Sequence, residues 1–148
     1  MKNTFEAAYQ QDLKIRTAYF AAKEANDEVG IEAARAAMKA LADSINEKGD
    51  IYVRISNDYI DSRRKGNELL DFHNVIWEDH VAALIDCMRE NGIEKFTFSS
   101  GWSSAVEIGW LFIQNGCKLE GMTQISGDEV LFGNGERERK PAYVFSLA

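Results

Sequence analysis

Apolar residues recur at helical spacing through the first third of the chain. Over residues 4–27, Phe5, Tyr9, Leu13, Arg16 and Phe20 fall on one side of a helix that Thr4 is placed to cap. Over 31–48, Ala34, Met38, Leu41 and Ile45 repeat the pattern, with Gly30 marking the turn and Gly49 sitting where a C-terminal glycine stops a helix. Two adjacent amphipathic helices joined by a short turn form an αα-hairpin. Residues 50–65 read two ways. Ile51, Val53 and Ile55 alternate like a strand, yet Ile51, Ile55 and Tyr59 are spaced by four. The polar run 57–62 and the stop at Gly66 favour a third helix. A further helix over 77–91 places Val81, Leu84, Ile85 and Met88 inward and ends at Gly92.

The period then changes. Lys95–Ser99 is a short β-rich run followed by a glycine and serine turn. A helix over 103–115 is expected to carry Val106, Trp110 and Ile113 inward, and residues 118–125 form a second strand. Strand, helix and strand in this order predict a parallel βαβ unit. A short strand at 129–132, a polar loop at 133–140 and a last strand at 142–147 complete the chain, pairing antiparallel with the earlier strands. The prediction is an α+β fold in a single domain, 1–148: a helical hairpin (1–49), a helical segment (50–92), and a βαβ unit with C-terminal strands (93–148) on a small mixed sheet of three to four strands. The one proline, Pro141, leaves the helices uninterrupted.

Composition changes this picture little. The 148 residues are 45% hydrophobic and 28% charged, ordinary globular usage. The formal charge is −7, and the acidic excess is spread along the chain. Basic runs are confined to Arg63-Arg64-Lys65 and to Arg137, Arg139 and Lys140, so a phosphate-neutralising footprint is disfavoured and direct nucleic-acid binding is not expected. An acidic surface instead suits basic surfaces of other proteins. The two cysteines, Cys87 and Cys117, stand thirty positions apart without a CxxC. That usage, a polar N-terminus and the lack of a bilayer-length apolar run point to the cytoplasm and to no membrane partner.

Candidate chemistry centres on the turn Ser99-Ser100-Gly101-Trp102-Ser103-Ser104 between a strand and a helix, the place where open α/β folds offer N–H groups to an anion. Ser104 to Glu107 also matches the capping box S-x-x-E, which explains the same residues structurally. The turn lacks the GxSxG pattern of a nucleophile elbow, and no dinucleotide or P-loop fingerprint occurs, so no catalytic residue, metal or cofactor is assigned. His73 and His80, with Asp71, Glu78, Asp79 and Cys87, have the wrong spacing for a zinc site. Glu107 and Glu120 are a possible carboxylate pair that no spacing brings together. Trp102 is expected partly exposed, as a candidate partner anchor, and Trp110 is expected in the core.

The stretches GNELLDFHNVIWEDHV (66–81), FTFSSGWSSAVEIGWLFIQNGCKLEGMTQI (96–125) and PAYVFSLA (141–148) resemble a family of small uncharacterised bacterial proteins associated with mobile elements and their hosts. That resemblance carries no activity and no site residues. It implies a bacterial accessory protein, and inhibition of a host defence nuclease, as anti-CRISPR proteins perform it, is the specific form. The leading expectation is therefore a non-enzymatic protein that docks an acidic, aromatic-bearing surface onto another protein. The alternative is a small enzyme or ligand sensor that binds an anion at Ser99, Ser100, Gly101, Trp102, Ser103, Ser104 and Glu107. A homodimer through the N-terminal helices is a third.

Overall fold

The computed structural model describes residues 2–131 and 135–147, in which five α-helices pack on a four-stranded mixed sheet, an α+β fold. α1 (Thr4–Glu24) is capped one residue earlier than expected, by Asn3 and not Thr4: the Asn3 side chain accepts the N–H groups of Phe5 and Glu6. Its buried positions are Phe5, Ala8, Asp12 and Ala22, while Leu13 and Phe20 are exposed. The expected Phe5-to-Phe20 face is thus only half right, because the first half of α1 is docked on a third helix. Asp12 is drawn under by Arg64 of that helix and by Arg16, and only short side chains are needed further along.

The chain reverses at Ala25–Asp27, with Asn26 at φ 54°, and not at Gly30. Gly30 lies inside α2 (Glu28–Asn46), where a Cβ would stand 2.9 Å from the Ala22 Cβ. Glycine there lets the hairpin arms close. Ala34, Leu41 and Ile45 are buried as the period of α2 predicts. Residues 50–65 resolve as helix, α3 (Asp50–Arg64), bracketed by Gly49 and Gly66 at positive φ.

Tyr59 of α3 is buried and donates its hydroxyl to Glu6 Oε2 at 2.6 Å. Burial, then that bond, push the phenol from 10.0 to about 12. The folded chain therefore holds this proton longer than the unfolded one. The stabilisation is complete below pH 10.0 and disappears as pH rises toward about 12. Urea titrations across that window should show the alkaline loss of stability flattened in Tyr59→Phe; an unchanged slope would remove Tyr59 as its source.

The strands are β1 (Asp71–Phe72), β2 (Lys95–Phe98), β3 (Lys118–Leu131) and β4 (Glu136–Ser146), in the order β1-β2-β4-β3. The adjacent parallel pair is β1 and β2, joined through a 3₁₀ turn (Glu78–His80) and α4 (Val81–Glu90). The βαβ unit expected between 95–99 and 118–125 is present in split form. β2 and β3 do run the same way, but β4 lies between them, antiparallel to both. Phe145 of β4 is registered with Phe96 on one side and Leu119 on the other, so a central β4 completes the apolar layer.

β3 is also longer than expected. It continues through 129–131 instead of stopping at 125 and resuming past Gly127, bending at irregularities between Leu119 and Gly121 and between Ser126 and Val130. Glu136–Lys140, expected as loop, belong to β4, while Phe132, Gly133 and Asn134 lie outside the described residues. The end of this arm is tied to the α3 side: Asn67 Nδ2 donates to the Ser126 carbonyl at 3.0 Å, and the Ser126 N–H donates to Asn67 Oδ1 at 2.9 Å.

One face of the sheet carries the core. Phe112 of α5 (Ala105–Gln114) lies at its centre, its ring 5.0 Å from Phe96, 5.3 Å from Phe145, 5.4 Å from Phe98 and 6.5 Å from Phe72 between centroids. Leu84, Ile85 and Met88 of α4 complete it. The opposite face buries two polar side chains, Thr97 and Asp71, side by side, with the apolar Ala142 and Ile125 further along it. No described helix is long and apolar enough to cross a membrane.

Candidate functional site

The serine turn links β2 to α5, and two of its four hydroxyls, those of Ser99 and Ser100, are hydrogen-bonded. Ser99 Oγ donates to Asp71 Oδ2 at 2.7 Å, and Thr97 Oγ1 donates to Asp71 Oδ1 at 2.7 Å. The Asp71 N–H donates in turn to Ser62 Oγ at 2.9 Å. A buried carboxylate without a cationic partner needs such donors, and these two hydroxyls supply them. Ser100 Oγ accepts the Trp102 N–H at 3.3 Å. Ser103 is exposed and Gly101 has open space around it.

The capping box does not form. Ser104 sits at φ −83°, ψ 0°, away from the extended conformation that a side-chain cap needs, and makes no such bond. The Ala105 N–H bonds the Trp102 carbonyl instead, and Glu107 stands exposed on α5. Glu120, on β3, accepts from Ser146 Oγ at 2.8 Å. Among the described residues no imidazole bonds any hydroxyl of the turn.

The histidines separate. His80 is exposed before α4, and its side chain caps nothing. His73, just past β1, meets Asp61 of α3 and Asp128 of β3, one potential ligand atom from each lying within 4.8 Å of the others. These three are the residues that could hold a metal, and sequence spacing gives no hint of them. A cation of the chain's own already serves the two carboxylates. Lys65 Nζ is 2.7 Å from Asp61 Oδ2 and pairs also with Asp128. Burial alone would lower the Lys65 pKa, but its bonds to Asp128 and Asp61 outweigh that and raise it. The same Lys65 bond holds Asp128 below the usual carboxylate range.

The basic runs noted in the sequence are spent in a similar way. Arg63 pairs with Glu6, and Arg64 with Asp12. Arg137 donates to the carbonyls of Gly127 and Asp128, and Arg139 to that of Gln124. Gln124 is registered with Pro141, which has no N–H to give.

The surface that stands out is aromatic. Trp77, Trp102 and Trp110 are 62%, 57% and 58% exposed, and they are all the tryptophans of the chain. Tryptophan is highly buried on average, so three open indoles are unusual. Trp77 and Ser104 line one depression of about 480 Å³ with Val75, Ile76, Glu78 and Asp79, which brings the approach to α4 against the start of α5. From there Val106, Trp110 and Ile113 follow along α5 at spacings of four and three, a single stripe.

That stripe was expected to face inward and instead faces out, with Val106 82% exposed and Ile113 39% exposed. Ile108 and Phe112 are the buried positions. The helix AVEIGWLFIQ has only Glu107 and Gln114 as polar residues, so its pattern specifies no face; the phenylalanines of the sheet select Phe112. A helix apolar on all sides normally has neighbours on all sides. Beside α5, Leu119, Met122 and Tyr143 extend the open apolar area on the Phe145 face of the sheet. Glu78, Asp79 and Glu107 supply acidic groups at its rim.

Residues 54–147 match the model of a protein family described as a domain of unknown function (DUF7698). No curated protein and no solved structure matches the chain. The matched stretch begins inside α3 and takes in the whole sheet, α4, α5 and the three tryptophans, leaving α1 and α2 outside it.

Proposed function

We propose a function for a chain that belongs to the DUF7698 family, whose description assigns no activity: it is a non-enzymatic accessory protein that docks on another protein through the outer face of α5. The observation that carries this reading is the exposure of Trp77, Trp102 and Trp110, the last of them on the open apolar stripe of α5. Aromatic anchors of this kind supply most of the energy in protein interfaces. The acidic rim and a net charge of −7 favour a basic partner surface, such as those presented by proteins that handle nucleic acid. A cytoplasmic inhibitor of a host defence nuclease, of the anti-CRISPR kind, is the specific form of this proposal. The rival reading, an anion held by the serine turn, is less favoured because the Ser99 hydroxyl is already donated to Asp71.

Affinity capture from bacterial lysate at low salt, read by mass spectrometry, tests the proposal. One stoichiometric protein partner is expected, released as salt rises because exposed charge pairs are screened. Trp110→Ala and Trp102→Ala should weaken capture by at least about thirtyfold each while leaving circular dichroism unchanged. A partner held equally by both variants, or a bound small anion and no protein, would overturn the docking reading.

A further inference from the structure

We infer that the outer face of α5 has a receptor within the protein itself, the groove between α1 and α2 of a second copy, so that self-association covers the docking face. This rests on the reading of α5 as a docking surface and adds its regulation. The hairpin carries an open groove of about 960 Å³ along the seam of its two helices. Its walls are almost all short: Ala18, Ala21, Ala33 and Ala37 are exposed there, with Ile15 and Leu41 beneath. A channel floored by methyl groups accepts large side chains, and α5 offers a ridge of them in Val106, Trp110 and Ile113. The molecule thus has one unpartnered apolar ridge and one unpartnered apolar groove.

Charge selects this pairing over its rivals. Two α5 faces meeting about a twofold would set Glu78, Asp79 and Glu107 of one copy near those of the other. Two hairpins meeting groove to groove, as in the homodimer expected from sequence, would face two hollows with no ridge between them. The hairpin is also the least acidic part of the chain. Residues 1–48 carry seven basic and eight acidic groups, against ten and sixteen in residues 49–148, and the groove wall is balanced, with one basic residue, Lys14, and one acidic, Asp27. Ridge into groove is a heterologous contact, which joins copies head to tail into rings or chains.

Sedimentation equilibrium of the full chain over a concentration series at low salt tests the inference. The native chain should associate. Trp110→Glu and Ala37→Glu, both at exposed positions, should each weaken association by at least about thirtyfold with circular dichroism unchanged. An equimolar mixture of the two should form a 1:1 pair, since one variant brings an intact groove and the other an intact ridge. A native chain that stays monomeric, association that survives either variant, or variants that do not complement each other would overturn it. Ala37→Glu keeps α5 whole and should still capture an outside partner. Capture by a chain that never self-associates defeats this inference alone, and complementation without any outside partner defeats the docking proposal alone.

Discussion

Phe112→Ala should cost about 3–5 kcal/mol, enough to leave a domain of ordinary stability largely unfolded. The ring is fully buried and contacts Phe72, Phe96, Phe98 and Phe145 at once, so its removal opens a cavity that four rigid rings on three strands cannot close. Urea denaturation followed by tryptophan fluorescence measures this, and Trp110→Ala is the matched control two residues away on the same helix. That control should lie within about 1 kcal/mol of the native chain, because the indole is more than half exposed and its loss leaves no cavity. Equal costs at the two positions would mean that α5 is turned differently on the sheet.

The second large effect is expected at Asp12. Its carboxylate is 2% exposed and accepts from Arg16 Nε at 2.8 Å and from Arg64 Nε at 3.1 Å, with a further bond from Arg64 Nη2. Arg64 belongs to α3, so with Arg63–Glu6 this is one of two charged ties between α1 and α3 among the described residues. Removing one partner of a buried ion pair costs about 3–5 kcal/mol, but both guanidinium groups keep some access to water. Asp12→Ala should therefore cost about 2–3 kcal/mol, and Asp12→Asn somewhat less, because the amide oxygen still accepts. Limited proteolysis should show cleavage between α1 and α3 in Asp12→Ala under conditions where the native chain is intact. Full protection there would place the hairpin's attachment in its apolar contacts and in the bonds of Glu6 to Tyr59 and Arg63.

Helices were legible in the sequence because their signals are local. The period of α2, the glycines at 49 and 66, and the inward set of α4 all follow from spacing within one element. What was lost depends on partners far along the chain. β1 is only two residues, too short to show alternation, yet it forms the parallel pair with β2. Gly127 looked like a break, but a bulge absorbs it and β3 continues.

At the candidate sites the same division holds. The serine turn was placed correctly between strand and helix, whereas the capping box it spells is undone by the φ and ψ of Ser104. Asp71 was considered only as part of a metal set; its actual partners, Thr97 and Ser99, are fixed by the parallel register of β1 and β2. Trp110 was misplaced because α5 has too few polar residues to declare an outside. The exposure of Trp102 was legible from its place in a glycine turn, whereas that of Trp110 was not.

The strand order carries a consequence for how the chain is made. β4 is the last strand in sequence and the third in space, with β2 on one side and β3 on the other. Until residues 136–146 have been synthesised, β3 has no neighbour, β2 has an open edge, and the phenylalanine layer lacks Phe145. The N-terminal helices can form early from local contacts, but the sheet closes only once β4 has been made, in a single step that joins both halves. A nascent chain stopped short of β4 exposes two strand edges and an aromatic face, a natural client for chaperones and proteases.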